Sequence, residues 1–248
     1  KLYLNKLLLL DSTSTTANFS KVLLYEGELD FEKKKEQLER LLLKDNIPIL
    51  HLSAAGAHLG RMGYLDRGIE ICKKAMELDP LYVYNFQNLA ELYYLKEDYP
   101  KATAMLQKMY VPYPEMEEDY LDILSQYYSL HREFERAKEL AVKIKIEKWK
   151  YRSLILAEYG LGNKNISNQL LNEYIEKYGE KDAYHIAGHY SFFRNSDKAF
   201  EWLNRSIEQL DGNYLNMLIV DPLFKNLHSD PRWIPLLKRL KFPEALKG

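Results

Sequence analysis

Two histidines, His185 and His189, are the residues whose type and spacing most directly indicate chemistry. They stand four positions apart, so on a helix they share one face, where two imidazoles can chelate a metal ion. The residues between them, 186–188, contain no acid of the kind that zinc proteases carry within this motif. A third ligand would have to come from elsewhere in the chain. We therefore predict no metal site at this pair.

Two other short motifs also have simpler structural explanations. The sequence Gly160-Leu161-Gly162-Asn163 has glycines like those of a nucleotide-binding loop, but that loop follows a strand, and here a helical pattern precedes it. It predicts the turn of a helical hairpin. Cys72 takes a helix-packing position, whereas a nucleophilic cysteine needs an exposed, electropositive setting. We predict that the chain uses no cofactor and is not an enzyme.

The segment 142–152 mixes lysines with Trp149 and Tyr151, a combination that can stack on and neutralise a nucleic acid. Glutamates in and before the segment dilute this charge, and the formal net charge of the chain is −1. Because nucleic-acid-binding domains usually carry a marked basic excess, we predict no nucleic-acid partner for this segment. The same residues alternate apolar and charged side chains, the period of a strand. A lone strand has no partner here, so we predict a helix end and a linker.

The composition is that of a packed protein, because 46% of the residues are hydrophobic and 29% are charged. The longest apolar run, Leu7–Leu10, ends at Asp11 and is too short to span a membrane. We expect a soluble, cytoplasmic protein, with the periplasmic domain of a membrane-anchored regulator as the alternative. Residues 2–8 have helical leucine spacing directly after Lys1, so we expect the chain to begin inside a helix of a larger protein.

The predicted helices that carry these residues repeat with a period of 34 residues. The first set of matching positions is Leu52, Ala55, Gly56, Leu59, Gly68, Cys72, Ala75 and Pro80. One period later stand Phe86, Leu89, Ala90, Tyr93, Ala102, Leu106, Met109 and Pro114. Large residues align with large ones, small with small, and proline with proline. The small residues let two helices approach closely, Gly63 suits the turn between them, and the prolines end each unit.

On these residues the sequence resembles the tetratricopeptide repeat (TPR) family, with clear repeats at 49–82 and 83–116. The resemblance implies an all-α fold, a right-handed superhelical stack of helix-turn-helix hairpins, over residues 1–209. Looser units lie near Thr15, at 121–144 and at 154–174, and a well-formed unit lies at 186–203. The unit at 121–144 follows the pattern one residue late, as if the link Glu115–Glu118 had gained a residue. We count about five hairpins plus the opening helix.

Residues 210–248 are different in kind and predict a short helical C-terminal cap. Asp221-Pro222 and Ser229-Asp230-Pro231 each place a capping side chain before a proline suited to the first helical turn. The apolar stripe that follows consists of Trp233, Leu236, Leu237 and Leu240. The stretch 221–243 resembles the tail of bacterial TPR regulatory proteins, whose repeats often follow a winged-helix DNA-binding, adenylate-cyclase or kinase domain.

The leading functional hypothesis is a scaffold or regulatory module that binds a protein or peptide in the concave groove of the array. The first helix of each hairpin lines that groove. Helical spacing assigns to it Ser53, Ala57, Tyr84, Gln87, Asn88, Glu91, Asp119, Asp122 and Gln126. Some TPR proteins hold a C-terminal carboxylate with Lys and Asn here, and this chain lacks that set, which favours a basic or neutral partner. We expect five of them, Tyr84, Gln87, Glu91, Asp122 and Gln126, to have no role in the core.

The alternative is a small-ligand sensor or an enzyme with its site near His185 and His189, together with Tyr184 and Tyr190. A closed cavity beside these residues would favour the alternative. A long, open groove would favour the binding module. The shape of the site is needed for this decision, because fold alone does not decide function.

Overall fold

The computed structural model describes residues 14–110 and 117–243, and all regular structure in these two ranges is helical. The α-helices are α1 (Thr15–Gly27), α2 (Phe31–Leu42), α3 (Ile49–Arg61), α4 (Leu65–Leu78), α5 (Val83–Leu95), α6 (Tyr99–Tyr110), α7 (Glu117–Leu130), α8 (Phe134–Ala141), α9 (Glu147–Gly160), α10 (Lys164–Tyr178), α11 (Ala183–Phe192), α12 (Ser196–Glu208), α13 (Gly212–Leu215) and α14 (Trp233–Arg239). A 3₁₀ helix, Pro222–Leu227, lies between the last two. The predicted all-α hairpin stack is confirmed.

Helices α1 to α12 pair in order into six hairpins within the described ranges, one more than the five expected. The degenerate unit near Thr15 accounts for the difference, because it forms a complete hairpin. Each hairpin turns at one residue with positive φ. These residues are Leu29, Gly63, Glu97, Arg132, Gly162 and Arg194. The spacing from Leu29 to Arg132 reproduces the period read from the sequence, including the one-residue delay before Arg132, whereas the two later turns follow at shorter intervals.

The small residues of the two clear repeats lie where their helices touch. A side chain on Gly56 would press on Cys72 and on the backbone of Gly68, and one on Gly68 would press on the backbone of Gly56. In the next hairpin Ala90 and Ala102 are both buried. The close approach of paired helices therefore depends on residue size at these positions.

The segment with alternating charge divides between a linker and a helix. Helix α8 ends at Ala141 and α9 begins at Glu147, so the prediction of a helix end and linker holds for the first half of the segment. The Glu118 carboxylate accepts hydrogen bonds from the backbone N–H groups of Lys145, at 2.8 Å, and Ile146, at 3.0 Å. These bonds join the start of α7 to the start of α9. The backbone of the linker is thus bonded to a side chain rather than to a neighbouring strand.

The chain from residue 212 to residue 243, here called the closing segment, packs against both ends of the array. Asp221 caps the 3₁₀ helix by accepting a hydrogen bond from the Leu223 N–H, as predicted, and Trp233 is buried. The Phe242 ring lies 4.8 Å from that of Phe31 at the start of α2. Buried residues of the first two hairpins, the last two and the closing segment consequently form one hydrophobic core.

Further contacts with the first hairpin are polar. The Lys241 ammonium lies 3.0 Å from the Asp30 carboxylate, and the Asn216 amide donates to Glu26 at 3.1 Å. The residues of these pairs are about two hundred positions apart in the chain. The closing segment therefore joins the last hairpin to the first, so that the stack is closed rather than open-ended.

Some predictions fall outside the described residues: the opening helix at 2–8, Pro114, and the start of the link at Glu115. Whether residues 1–209 and 210–248 are separate units stays a prediction, since both contribute to one core. Among the described helices, none combines the length and the apolar character needed to cross a membrane.

Candidate binding face

The first helices of successive hairpins lie side by side and form what we call the inner face. Helix α3 packs on α5, α7 on α9, and α9 on α11. The side chains predicted to line a groove come from α3, α5 and α7, and they do lie at these contacts. Most of them bind one another or a neighbouring first helix.

Between α3 and α5 the contacts are a hydrogen bond and an ion pair. The Asn88 amide donates to the Ser53 hydroxyl at 3.0 Å, and Ser53 is fully buried. The Arg61 guanidinium donates two hydrogen bonds to Glu91, at 2.8 and 2.6 Å. This parallel arrangement is the strongest common form of the arginine–carboxylate pair. It neutralises the Glu91 charge expected to attract a basic partner.

Between α5 and α7 the inner face is weakly acidic. The Gln87 amide lies 3.4 Å from the Asp119 carboxylate, at the long end of hydrogen-bond geometry. Burial and the nearby Asp122 charge raise the pKa of Asp119. Gln126, the last predicted groove residue, is half-buried on α7.

Between α7 and α9 an ion pair is buried. The Arg152 guanidinium donates to Asp122 at 2.6 Å, and the Ser153 hydroxyl donates to the other carboxylate oxygen at 3.0 Å. Asp122 and Arg152 are each 6% exposed. The expectation that Asp122 has no role in the core is therefore wrong, because Asp122 is buried and neutralises Arg152 on the adjacent hairpin. Glu91 pairs with Arg61 but is only half-buried.

The two histidines belong to the same network. The His185 ring contacts Arg152 at 2.7 Å through Nε2 and Asp182 at 2.8 Å through Nδ1. His189 is buried with Nε2 3.2 Å from the Arg152 carbonyl oxygen, and burial lowers its pKa to about 3. Within the described ranges no three His, Cys, Asp or Glu side chains are arranged to hold a metal ion. The absence of a metal at this pair stays a prediction.

Cys72 and the glycine-rich motif have the structural roles predicted for them. Cys72 is fully buried, and burial raises the pKa of its thiol to about 12, so it is not a thiolate at neutral pH. Gly160 ends α9, Gly162 has a φ of 85°, and α10 begins at Lys164. The motif is thus a hairpin turn that follows a helix.

The closing segment covers the far part of the inner face. On α11, Gly188 lies directly against Leu223 and Phe224, and the Tyr184 hydroxyl donates to Asp221 at 2.8 Å. The Lys225 ammonium reaches the turn after α5, where it lies 2.7 Å from Glu97. The long, open groove expected of a peptide-binding array is therefore occupied in part by the chain itself.

A cleft of about 350 Å³ remains open on the inner face, and we call it the α3–α5 cleft. Its lining residues are Leu50, Ala54, Ala57, His58, Arg61, Tyr82, Tyr84 and Asn88. Leu50 is 56% exposed and Tyr84 is 51% exposed, although both are large and largely apolar. Of the predicted groove residues, Ala57, Tyr84 and Asn88 are brought together here, whereas Asp119, Asp122 and Gln126 do not line this cleft.

A larger cavity of about 700 Å³, here called the turn-edge cavity, lies at the hairpin turns. Its lining residues are Glu97, Tyr99, Ser129, Leu130, His131, Arg132, Phe134, Tyr159, Gly160, Ser191, Phe192, Arg194, Pro222, Leu223, Lys225 and Asn226. His185, His189, Tyr184 and Tyr190 do not contribute to it. The cavity therefore does not match the alternative site expected near the two histidines.

The sequence reasoning missed Arg61 and Arg152 as partners of the acidic groove residues. Each arginine stands 30 positions from its carboxylate, close to one repeat length. Side chains separated by about one repeat on first helices face each other across adjacent hairpins. A search for opposite charges at this separation would have found both pairs.

The fold defines the chain as a stack of helical hairpins, and its solved structural neighbours are TPR proteins. A TPR protein from Parabacteroides merdae is 16% identical, with a TM-score of 0.52, over 94% of this chain and 98% of that one. The C-terminal part of a TPR repeat-containing protein from Cytophaga hutchinsonii is 17% identical, with a TM-score of 0.46, over 95% and 92%. YrrB, described as a TPR protein with an unusual peptide-binding site, is 17% identical, with a TM-score of 0.42, over 73% and 95%. No family model and no curated protein matches the sequence.

Proposed function

We propose that this chain is a protein-interaction module that binds an extended segment of another protein in the α3–α5 cleft. The observation that carries the proposal is that Leu50, on α3, and Tyr84, on the adjacent α5, are both exposed on the inner face. Neither side chain is needed to fill a core. Tyrosine combines a large apolar ring with a polar tip, and it is enriched at protein interfaces for that reason.

The chemistry of the cleft favours a neutral segment with a large apolar side chain. The apolar part of its wall is supplied by Leu50, Ala54 and the rings of Tyr82 and Tyr84, whose centroids are 5.4 Å apart. The Arg61 charge is neutralised by Glu91, so neither a strongly acidic nor a strongly basic ligand gains from long-range attraction. Between the basic and neutral partners considered from the sequence, the neutral one fits better.

The wider role that we propose is regulatory. The resemblance of residues 221–243 to tails of bacterial TPR regulatory proteins supports a module that follows an effector domain in a longer bacterial protein. In that setting the α3–α5 cleft would receive a segment of the regulated partner. A cytoplasmic location is part of the proposal, with a periplasmic domain of a membrane-anchored regulator as its alternative.

Photo-crosslinking from the cleft tests the proposal. A photoreactive phenylalanine analogue in place of Tyr84 is expected to capture specific partners in cells. The same analogue in place of Leu210, which is 60% exposed outside the cleft, serves as the matched control. Captured partners should then bind the purified wild-type chain at least about tenfold more tightly than a Leu50→Ser, Tyr84→Ala variant, since two buried apolar contacts are lost.

The proposal fails if both crosslinking positions capture the same proteins. It also fails if every captured partner binds the wild type and the double variant with equal affinity. Circular dichroism and thermal unfolding of the double variant establish that its fold is intact. Because both substituted side chains are more than half exposed, we expect little change in its stability.

A further inference from the structure

The turn-edge cavity has the size and the walls of a small-molecule site. Its volume of about 700 Å³ lies within the range of roughly 300–1,000 Å³ that is usual for such sites. Aromatic walls come from Tyr99, Phe134, Tyr159 and Phe192. The Phe134 ring lies so close to Gly160 that any side chain at that position would overlap it. Packing therefore fixes the position of such aromatic side chains, and their flat faces can contact a planar ring of a ligand.

The charge around the cavity is positive. Arg132, Arg194 and Lys225 contribute three cations, against the single carboxylate of Glu97. That carboxylate is already paired with Lys225 at 2.7 Å. Within residues 14–110 and 117–243, neither Arg132 nor Arg194 has an ion pair or a side-chain hydrogen bond. Two guanidinium groups are thus available to an anion, which they can bind through parallel hydrogen bonds.

A buried hydroxyl supplies a second and independent indication of a ligand. Ser129 lines the cavity and is fully buried, and its Oγ has no hydrogen-bond partner among the described residues. Two other hydroxyls of the wall do have partners: that of Ser191 donates to the Leu223 carbonyl oxygen at 2.7 Å, and that of Tyr159 to the Phe193 carbonyl oxygen at 3.3 Å. Buried polar groups are almost always paired, so an unpaired one at a cavity wall is a place for a ligand atom.

The two arginines occupy turn positions that two of the other four hairpins give to glycine and two give to Leu29 and Glu97. Arg132 has a φ of 63° and Arg194 a φ of 61°, whereas Gly63 and Gly162 take the corresponding positions in two other hairpins. A side chain in this left-handed region costs stability that glycine does not. Replacing either arginine with glycine should therefore relieve this cost.

We propose that the turn-edge cavity binds a small anion that carries a planar ring. Arg132 and Arg194 hold its carboxylate or phosphate group, and the aromatic walls hold the ring. The Ser129 hydroxyl provides a further hydrogen bond. This site lies apart from the α3–α5 cleft and goes beyond the proposed binding of a protein segment. It gives the module a second ligand of a different chemical class.

Calorimetric titration of the purified chain with four probes tests the proposal. Phenyl phosphate and benzoate carry both a ring and an anionic group, inorganic phosphate carries only the anion, and benzamide carries only the ring. At least one ring-bearing anion is expected to bind at least about tenfold more tightly than phosphate and benzamide. Phosphate lacks the contact with the aromatic walls, and benzamide lacks the contact with the arginines. The comparison of phenyl phosphate with benzoate identifies which anionic group the arginines prefer.

Substitutions that preserve the fold locate the site. The Arg132→Gly, Arg194→Gly variant should bind the probe at least about tenfold more weakly. Its melting temperature should be equal or higher, because glycine suits both φ values. The Arg40→Ala, Arg205→Ala variant removes the same charge from exposed helical positions outside the cavity and should bind like the wild type.

Ser129→Ala separates the ligand contact from the effect of charge. We expect weaker binding of the probe with no loss of stability, since the hydroxyl has no protein partner to lose. The proposal is overturned if neither ring-bearing anion binds at millimolar concentration. It is also overturned if the double glycine variant binds as tightly as the wild type, or if benzamide binds as tightly as the anions.

Discussion

Two regions of the stack are held together in different ways. The closed part consists of α1 to α3, α9 to α12 and the closing segment, and its buried residues form one continuous core. The middle hairpins, α5 to α8, depend on two much smaller clusters, one around Leu92 and Tyr93 and one around Leu106 and Met109. The middle hairpins pack mainly on their neighbours, as in an ordinary repeat array, and the closing segment reaches them through Met217, Val220 and the Lys225–Glu97 ion pair. In the closed part the tail supplies contacts that the repeat pattern does not.

This difference bears on why the first hairpin can depart from the repeat pattern. The hairpin at 83–116 keeps the small and large residues of the pattern. The first hairpin can depart from the pattern, because Phe31 packs on Phe242 and Glu26 accepts a hydrogen bond from Asn216. A degenerate repeat is thus tolerated where another part of the chain completes its packing.

The largest effect that distinguishes the two regions is expected from Trp233→Ala in the closing segment. Trp233 is 3% exposed within the continuous core, so truncation should lower the free energy of unfolding by about 3–5 kcal/mol. Hydrogen exchange should accelerate in α1 as well as in α12, although α1 is remote in sequence. Met109→Ala, in a middle cluster, should cost about 2–4 kcal/mol and accelerate exchange only in α5 to α7.

Denaturant unfolding and amide exchange by mass spectrometry measure these effects, with exposed Lys238→Ala as the control. If Trp233→Ala leaves exchange in α1 unchanged, the closing segment does not connect the two ends of the stack. If Met109→Ala accelerates exchange throughout the chain, the middle hairpins are not energetically local.

The next largest effect concerns the inner face, where the two regions meet at α7 and α9. Asp122→Ala should lower the free energy of unfolding by about 3 kcal/mol, because it leaves the buried Arg152 charge unpaired. Glu91→Ala should cost only about 1 kcal/mol, since the Arg61–Glu91 pair retains about a fifth of its side-chain exposure. Thermal and denaturant unfolding measure both. A combined Asp122→Ala, Arg152→Met variant should recover part of the loss, and failure to recover any of it contradicts the buried-charge explanation.

An effect that develops only with pH, at most about 3 kcal/mol, is expected from the titration of Asp221 in the closing segment. Burial raises the pKa of this carboxyl to about 6, above its unfolded value of about 4, so the folded state holds the proton more tightly. The resulting stability is fully present below pH ~4 and is lost as the pH rises through ~6. Asp221→Asn should therefore gain stability relative to the wild type as the pH is raised from ~4 to ~7.

Glu26, on the other side of the closure, titrates with the opposite sign. Burial acts to raise its pKa, but the His58 hydrogen bond and the Lys34 charge outweigh burial and lower it to about 2. Its stabilising contribution is present above pH ~4.5 and is lost as the pH falls towards ~2. Urea unfolding of wild type, Asp221→Asn and Glu26→Gln at several pH values separates the two groups. A constant stability difference between wild type and Asp221→Asn would show that folding does not raise the pKa of Asp221.

The repeat pattern and the core positions could be predicted from the sequence because they depend on residue size at a fixed local spacing. Gly56, Ala90 and Ala102 occupy the helix contacts that the alignment assigned to them. The closure could not be predicted, since nothing local connects Asp30 with Lys241 or Glu26 with Asn216. Those contacts arise only when the curvature of the whole stack brings the ends together.

The candidate site was predicted less well, for a related physical reason. Spacing placed Glu91 and Asp122 on the correct face but not beside Arg61 and Arg152, which come from neighbouring repeats. The helical face of a side chain is a local property, whereas its exposure depends on the adjacent hairpin. Tyr84, at the α3–α5 cleft, is a predicted groove residue that lies on the expected face and is also exposed.

Closure also bears on how such a chain can evolve. An open solenoid gains or loses hairpins by duplication and deletion, because each new unit meets the same kind of neighbour. Here the contacts of Phe242 with Phe31 and of Lys241 with Asp30 require a fixed number of intervening units. An inserted or deleted hairpin would displace these pairs and open the core to water. The number of hairpins between α1 and the closing segment is thus fixed by these contacts, and this part of the sequence diversifies by substitution and by changes in its turns.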